Sequence, residues 1–376
     1  EHPETAMFIN FWYPVALAKD ITADKPTRAQ VFGLPFVVFR DQSGQARVLA
    51  DTCVHRGGSL SKGLIKNGNA VCPYHGWEFG GDGKCSSIPS LPNETPPARA
   101  KVDSYPVQEK YGIVFAFLGD LPENERPPLH HIEEFDMPGW RANRLTVFEV
   151  PAYYERSMEN GLDPSHNEFV HPAQGSPNMN PDLQKKPLAV ENIPWGSKFL
   201  VRFENKEEHQ GTKGLNAPQT LVNEVTAGSG HVGPNQMITW IRFSATNMFH
   251  QYFFEAPVDE SRTRIFFVNM RTFLLDPLHD ERIGKVNLVV AQEDIDILGE
   301  LDPVQTPDST TKEVLVPSDQ AIVTYREWLK KFEQKGWRID LDTLKAKKGK
   351  VAFAIPCPAR RTSGNWVLDP VPLHKA

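Results

Sequence analysis

Twelve residues in the middle of the chain, 160–171, carry side chains that could bind a transition metal. They include Asn160, Asp163, His166 and His171. On a helix, Asn160 and Asp163 share one face and His166 stays near it, whereas His171 drifts away, so we expect the helix to bend or end between the two histidines. Two imidazoles with a carboxylate from elsewhere form an iron(II) site that keeps coordination positions open. The alternative interpretation is a polar helix end at the surface.

The missing carboxylate is predicted on a second helix, from Asp280 to about Leu301. Its apolar residues recur at helical spacing at Ile283, Val286, Val290 and Ile297. Asp294 interrupts this apolar face, and a carboxylate that faces a core needs a partner or a metal. Asp294 is therefore the predicted third ligand, and its neighbours Glu293 and Asp296 are expected to point outward. Alternatively, Asp294 is a partly exposed helix acid.

Two loops nearer the N-terminus each provide one cysteine and one histidine. The first holds Cys53 and His55, and the second holds Cys72 and His75. This interleaved order suits a Rieske [2Fe–2S] cluster, in which two thiolates bind one iron and two imidazoles bind the other. A zinc site is the alternative, but zinc usually takes paired Cys-x₂₋₄-Cys and His-x₃₋₅-His spacings, which this pattern lacks.

Rieske proteins of cytochrome bc complexes resemble these loops but carry two further cysteines that bridge them. Here the matching positions hold Gly58 and Tyr74, so no such disulfide can form. The remaining cysteines, Cys85 and Cys357, are expected to be packing residues.

Composition and charge restrict the class of protein. The chain has 376 residues, of which 40% are hydrophobic and 23% charged, as in soluble globular proteins of about two domains. A net charge of −6 argues against a nucleic-acid partner. No apolar run is long enough for a membrane span, so none is expected. Four cysteines do not indicate a disulfide scaffold and favour a reducing compartment, the cytoplasm.

The elements that must position the two loops are short strands in residues 8 to about 120. Phe8–Ala18 is expected to be the first strand rather than a signal peptide. Further strands are predicted at Phe36–Phe39, Arg47–Ala50 and Ile113–Leu118. The proline-rich stretch Gly119–Pro138 is expected to link two domains.

The second domain is expected to begin with a strand at Arg144–Val150 and the helix Tyr154–Asp163. A proline-rich loop of about twenty residues after His171 is predicted to cover a substrate entrance. One antiparallel sheet is predicted from strands at Lys198–Phe203, Gln219–Val225, Gln236–Phe243, Met248–Ala256 and Thr263–Arg271. A helix from Ser318, its predicted N-cap, to about Phe332 precedes an extended tail.

With both sites in place, the chain to about residue 335 resembles the catalytic α subunits of Rieske non-haem iron oxygenases. Met158–His166 is similar to the branch that contains pheophorbide a oxygenase. Val316–Asp319 and Tyr325–Trp328 are similar to N-demethylating and alkaloid-hydroxylating members. The resemblance implies an α+β protein, with an all-β Rieske domain at residues 1–138. A helix-grip (START-like) antiparallel-sheet catalytic domain would follow at residues 139–376, with an extended C-terminal tail.

The resemblance also implies the cofactors and partners. These are a [2Fe–2S] cluster, a mononuclear Fe(II) held by His166, His171 and Asp294, and a homotrimer without β subunits. Electrons would come from NAD(P)H through a separate ferredoxin or flavin reductase. Asp163 would link His75 of a neighbouring subunit to His166, and Asn160 would lie beside the iron without binding it.

The predicted activity is a monooxygenase that uses O₂ to hydroxylate or oxidatively dealkylate a small organic substrate. One alternative is cis-dihydroxylation of an aromatic ring. The other is an electron-transfer or binding protein that lacks the mononuclear iron.

Overall fold

A computed structural model describes residues 7–171, 188–204, 224–307 and 312–375 of the chain. They form two compact units, which we call the N-terminal unit (Ala6–Leu129 with Phe332–Ala376) and the central unit (His130–Lys331). The first boundary lies nine residues before the predicted one, between Leu129 and His130. The loop predicted to cover a substrate entrance, residues 172–187, lies outside the described residues.

The N-terminal unit is built from short antiparallel strands, as predicted. They are β1 (Phe11–Leu17), β2 (Thr27–Val31), β3 (Leu34–Arg40), β4 (Ala46–Ala50), β5 (Leu64–Lys66), β6 (Asn69–Val71), β7 (Glu78–Phe79), β8 (Cys85–Ser87), β9 (Ser104–Tyr105), β10 (Val107–Lys110) and β11 (Ile113–Leu118). They pair as three sheets, β1-β11-β10, β2-β3-β4-β9 and β5-β6-β7-β8. The whole of β11 is buried, which explains its uninterrupted apolar sequence.

The central unit contains the single large antiparallel sheet that the sequence predicts. Its strands are β12 (Arg141–Ala142), β13 (Thr146–Val150), β14 (Glu191–Ile193), β15 (Gly196–Glu204), β16 (Glu224–Val232), β17 (Gln236–Arg242), β18 (Met248–Asp259) and β19 (Arg262–Arg271). They follow the order β12-β19-β18-β17-β16-β15-β14, and β13 also pairs with β19.

Helices cover one face of this sheet. They are α1 (Tyr154–Gly161), α2 (Asn167–Val170), α3 (Asp280–Leu298) and α4 (Gln320–Glu333), the last of which begins in the central unit. At the two ends of α3, Ile283 and Leu298 pack into apolar clusters with residues of the sheet. Ile297 was predicted on the same face but is 50% exposed, because Leu298 occupies the buried position instead. The α+β class is therefore confirmed.

Side chains of β18 alternate between the two faces of the sheet. Phe249 and Phe253 point to the helix-covered face, where Phe249 contacts Phe273 and Phe253 contacts Phe267. His250 and Tyr252 point to the opposite face, where both hydrogen-bond to Glu134. This period of two lets one strand place polar and aromatic groups toward the helices at fixed intervals.

The C-terminal residues do not extend from the central unit as predicted, because they pack in the N-terminal unit. They form α5 (Leu341–Ala346), β20 (Phe353–Ala354) and β21 (Asp369–Pro370). Tyr105 donates its hydroxyl to the Ile355 carbonyl at 2.8 Å, and Arg360 makes two bonds of 2.6 and 2.8 Å to the buried carboxylate of Asp103. Ile339 and Ile355 are fully buried, and this apolar burial explains why the segment folds back.

Two local predictions differ from the structure. The strand predicted at Gln219–Val225 continues to Val232 as β16, because its glycines at 228 and 230 weaken the strand signal; residues 219–223 lie outside the described residues. Ser318 is not the N-cap of the last long helix, since Asp319 accepts the Val316 N–H and a 3₁₀ turn at Pro317–Asp319 precedes α4. Among the described residues, no helix is both long and apolar enough to cross a membrane.

Candidate metal centres

The loops that carry Cys53 and Cys72 share one backbone pattern. Each cysteine carbonyl accepts the N–H of the glycine four residues later, Gly57 at 2.9 Å and Gly76 at 3.0 Å. Both glycines have positive φ, +74° and +73°, a conformation that glycine adopts without strain. The first loop follows β4, and the second lies between β6 and β7. Two equivalent turns therefore present two equivalent Cys–His pairs.

The four side chains fit a cluster with two sulfur and two nitrogen ligands. Both thiols, of Cys53 and Cys72, are 2% exposed, whereas His55 and His75 are exposed with ring centroids 4.4 Å apart. A Cβ atom at Gly58 would lie 2.7 Å from the Cys72 sulfur, so only glycine leaves this space beside the thiol. All four cysteines are free, as expected for loops without a bridge.

Three side chains of the central unit meet where the sequence predicts an iron site. The Nε2 atoms of His166 and His171 lie 3.3 Å apart, and they lie 3.4 and 3.2 Å from Oδ1 of Asp294. Ligands in adjacent positions around an ion about 2.1 Å away would be about 3 Å apart. The donor atoms therefore suit one metal ion. Among the described residues, these three bring their ligand atoms close enough together to hold such an ion.

The local fold differs from a single helix bearing all four polar residues. Helix α1 ends at Gly161, and His166 and His171 flank the separate one-turn helix α2. Asn160, in the last turn of α1, donates its amide to Oδ1 of Asp294 at 3.0 Å. The prediction that the helix bends or ends between the two histidines is wrong, because the helix ends before both of them, at Gly161, and α2 lies between them.

Both imidazoles are held by their other nitrogen. Nδ1 of His166 lies 2.6 Å from the carbonyl oxygen of Asp163, and Nδ1 of His171 lies 2.9 Å from Oε2 of Glu293. With Nδ1 as the donor in each bond, both Nε2 atoms keep a lone pair for a metal. The prediction that Glu293 points outward is wrong, because α3 places it beside the nearly buried ring of His171.

The carboxyl of Asp294 is poised to be ionised. Burial alone would raise its pKa, but the neighbouring imidazoles of His166 and His171 outweigh burial and hold the pKa of Asp294 well below its usual range. A charged carboxylate beside two imidazole nitrogens is the state in which this set binds a cation.

A cavity of about 270 Å³ adjoins the three residues. Its wall is mainly apolar and aromatic, with Phe148, Phe199, Phe253 and Phe267 among the lining residues. Asn160, Asp163 and the three candidate ligands also line it. An apolar chamber beside a metal site with open positions can hold an organic molecule near reacting oxygen and exclude water.

Sequence reasoning missed two polar residues near this chamber, Glu293 and Glu255. Glu293 could have been found, since a histidine that binds a metal usually needs a carboxylate or carbonyl at its second nitrogen. Glu255 lies within an apolar run of β18, and a charged residue at a predicted core position was the available signal.

Family profiles match both units. The Rieske [2Fe-2S] domain profile matches residues 11–106, and the vanillate O-demethylase oxygenase C-terminal domain profile matches residues 150–335. The first match spans both Cys–His loops, and the second spans the two histidines and Asp294.

Curated relatives match over long stretches. Chlorophyllide a oxygenase, chloroplastic, from Chlamydomonas reinhardtii is 30% identical over 338 residues, which cover 85% of this chain and 47% of that protein. The 4beta-methylsterol monooxygenase of Methylococcus capsulatus (strain ATCC 33009 / NCIMB 11132 / Bath) is 28% identical over 72% of this chain and 69% of that protein. This chain spans 47% and 59% of the two first curated relatives, chlorophyllide a oxygenase and protein TIC 55 of Arabidopsis thaliana.

Solved structures share the fold. Dicamba monooxygenase bound to dicamba superposes with a TM-score of 0.71 at 21% identity, covering 92% of this chain and 100% of that chain. NdmA of Pseudomonas putida CBB5 with caffeine gives a TM-score of 0.69 at 23% identity, covering 87% and 91%. At these identities the likeness extends to the fold alone.

Proposed function

Because this chain belongs to the Rieske non-haem iron oxygenases, we propose that it is a monooxygenase that hydroxylates or oxidatively dealkylates an organic substrate with O₂. The observation that carries the proposal is the apolar cavity into which His166, His171 and Asp294 face. The names of relatives support the reaction class, since they include an O-demethylase oxygenase subunit and a sterol monooxygenase.

In this proposal, Cys53, Cys72, His55 and His75 hold a Rieske cluster, which exchanges one electron at a time. The chain's contribution is the placement of its ligands. The buried thiols keep one side of the site dry, and the exposed imidazoles leave the other side accessible. Electrons would therefore enter and leave through the histidine side.

His166, His171 and Asp294 would hold a mononuclear iron(II), which supplies open positions for O₂. Glu293 and the Asp163 carbonyl orient the two imidazoles, and Asn160 restrains the carboxylate of Asp294 without taking a position as a ligand. The aromatic wall holds the substrate and excludes water from the site.

We further propose the family arrangement for electron transfer. In a homotrimer, Asp163 would link the two centres: its backbone carbonyl accepts Nδ1–H of His166, and its carboxylate would accept a hydrogen bond from His75 of a neighbouring subunit. Asp163 lines the cavity, and its Oδ1 accepts the Ser165 N–H at 2.7 Å, which fixes the carboxylate beside the site. A separate ferredoxin or flavin reductase would deliver electrons from NAD(P)H. The proposed compartment is a reducing one, the cytoplasm, and the chloroplastic relatives show that this family also serves in a plastid.

Iron content and product analysis test the function. The purified wild type should hold about three irons per chain, two in the cluster and one mononuclear. His166→Ala should lose the mononuclear iron and all turnover but keep the Rieske EPR signal, whereas His279→Ala, a histidine outside both centres, should keep all three. Wild-type protein with only the cluster iron would instead indicate an electron carrier.

Labelled oxygen separates the two oxygenase reactions. A monooxygenase places one atom of ¹⁸O₂ in the organic product. Incorporation of both atoms would indicate cis-dihydroxylation, a candidate because a relative is named phenoxybenzoate dioxygenase subunit alpha.

A further inference from the structure

Glu255, on β18, is a buried carboxyl group in the wall of the substrate cavity. Its side chain is 0% exposed and lines the same cavity as the candidate iron ligands. Oε1 accepts a hydrogen bond from the Ser157 hydroxyl at 2.8 Å, whereas Oε2 has no hydrogen-bond partner among the described residues. A buried carboxyl oxygen without a hydrogen bond costs free energy of folding, so such an oxygen commonly has a functional role.

Burial determines the charge of this group. It raises the pKa of Glu255 to about 8, against the smaller opposing effect of the Ser157 hydrogen bond. Near neutral pH the carboxyl is therefore mainly protonated. Because the Ser157 hydroxyl donates to Oε1, the acid proton belongs on Oε2, the oxygen without a partner. The cavity wall thus contains an O–H donor that lacks an acceptor.

The ionisable groups around Glu255 are consistent with a protonated carboxyl at neutral pH. From α1, Glu155 and Glu159 flank Ser157, and Glu159 is paired with Arg326 at 2.6 Å. From α4, the phenol of Tyr325 is buried, and burial raises its pKa far beyond the neutral range. The other ionisable groups of the cavity wall are those of the metal site: Asp163, His166, His171 and Asp294. No lysine or arginine is among the described lining residues.

Helix α1 fixes the distance from this carboxyl to the metal site. Ser157 and Asn160 lie three residues apart on the face of α1 that lines the cavity, a rise of about 5 Å. Ser157 bonds Glu255, and Asn160 bonds Asp294. A molecule held by Glu255 would therefore extend along α1 toward the metal ligands.

A flexible side chain lies near Glu255 on the neighbouring strand. Met237 is opposite Phe253 on β17 and hence diagonal to Glu255 on the same face of the sheet. It lines the cavity and packs against Gly161. Methionine changes rotamer readily, so the cavity wall beside Glu255 can adapt to an occupant.

We propose that Glu255 is the polar anchor of the substrate site, and that it donates a hydrogen bond from Oε2 to an acceptor oxygen of an uncharged, largely apolar substrate. A ketone or ester carbonyl fits this role. The proposal rests on the proposed function, because it names the class of molecule that the cavity would hold for oxidation.

Binding of shape-matched probes to the full-length protein with both metal centres loaded, without O₂, tests the anchor. The probes are acetophenone, which has a carbonyl, ethylbenzene, which lacks it, and 1-phenylethylammonium, which carries a positive charge. Each probe is compared between proteins, so that differences in probe hydrophobicity cancel. Glu255→Leu should weaken the binding of acetophenone about 10-fold, which corresponds to the loss of one buried hydrogen bond. It should leave the affinity for ethylbenzene nearly unchanged.

The pH dependence gives a test that needs no variant. The neutral acid donates below its pKa, and the carboxylate repels an acceptor above it. Wild-type affinity for acetophenone should thus fall about 10-fold between about pH 6.5 and about pH 9.5. Glu255→Gln should bind acetophenone equally at both values, since an amide donates at any pH. Gln251→Leu, a change on the same face of β18, should keep the wild-type pH dependence.

Three results would overturn the anchor. The first is binding of acetophenone to the wild type that does not depend on pH. The second is equal affinity of the wild type and Glu255→Leu for acetophenone. The third is a loss of affinity in Glu255→Leu that is larger for 1-phenylethylammonium than for acetophenone, which would indicate an ionised carboxylate that binds a cation. Failure of all probes to bind would also reject it. The iron content of the same samples tests the proposed function separately, because probe binding is measured without turnover.

Discussion

Removal of the carboxylate of Glu293 should weaken iron binding at the mononuclear site without removing a ligand. Oε2 of Glu293 lies 2.9 Å from Nδ1 of His171, whose side chain is only 3% exposed. Glu293→Gln retains an oxygen that can accept the Nδ1 proton but loses the charge. Glu293→Ala leaves the buried nitrogen without any partner.

The size of the effect follows from this contact. Partners of metal-bound histidines typically change metal affinity about 10–100-fold when removed. Glu293 is itself 22% exposed, so solvent weakens the charge interaction, and we expect about 10-fold weaker iron binding for Glu293→Gln. Glu293→Ala should approach about 100-fold, because the lost hydrogen bond adds to the lost charge.

Competition with an iron(II) chelator measures this affinity directly, while the Rieske EPR signal confirms that the N-terminal unit is intact. Asp296→Asn is the matched control, since this acid lies on the same helix and accepts a hydrogen bond from Gln292 at the exposed surface. Equal iron affinity in Glu293→Ala and Asp296→Asn would refute the role assigned to Glu293.

Three further changes test the centres. His75→Cys should shift the reduced EPR signal toward the all-thiolate type or abolish the cluster, and an unchanged Rieske spectrum would exclude His75 as a ligand. Gly58→Ala should lower cluster content, because the new Cβ would lie 2.7 Å from the Cys72 sulfur; full occupancy by iron and sulfide analysis would contradict this. Asp163→Asn should keep both metal centres but slow cluster oxidation about 10–100-fold after mixing with substrate and O₂, and oxidation at the wild-type rate would rule out the bridging role.

Sequence alone predicted the strands whose signals are local. Ile113–Leu118 coincides with β11, and the hairpin at Phe36–Phe39 and Arg47–Ala50 lies within β3 and β4. The continuation of β16 from Val225 to Val232 was not predicted, because glycines and small polar residues there hide its alternation. Local pattern therefore predicted strands where the side chains are large and apolar.

The sequence predicted those metal-site residues that are revealed by their spacing along the chain. Asp294 was found because it interrupts an apolar face, but the same reasoning placed Glu293 outside. A helical wheel assigns faces, whereas the contact of Glu293 with His171 depends on how α3 lies beside α2. Oε2 of Glu255 was equally hidden, since a missing hydrogen bond is defined only by three-dimensional surroundings.

The return of the C-terminal residues to the N-terminal unit has a consequence for the order in which the protein matures. Asp103 is fully buried, and its carboxylate is bonded by the Cys357 N–H and by Arg360, near the end of the chain. A ribosome releases the cysteine and histidine loops early, but these partners of Asp103 emerge only after the central unit has been synthesised.

Until then, Asp103 would be an uncompensated charge in an unfinished core, which is strongly destabilising. Nascent chains that stop at Lys331 should therefore be targets for chaperones and proteases rather than stable cluster-binding fragments. We therefore expect stable cluster insertion to wait until translation has passed His166, His171 and Asp294, so that cluster-bearing fragments without the candidate iron site do not accumulate.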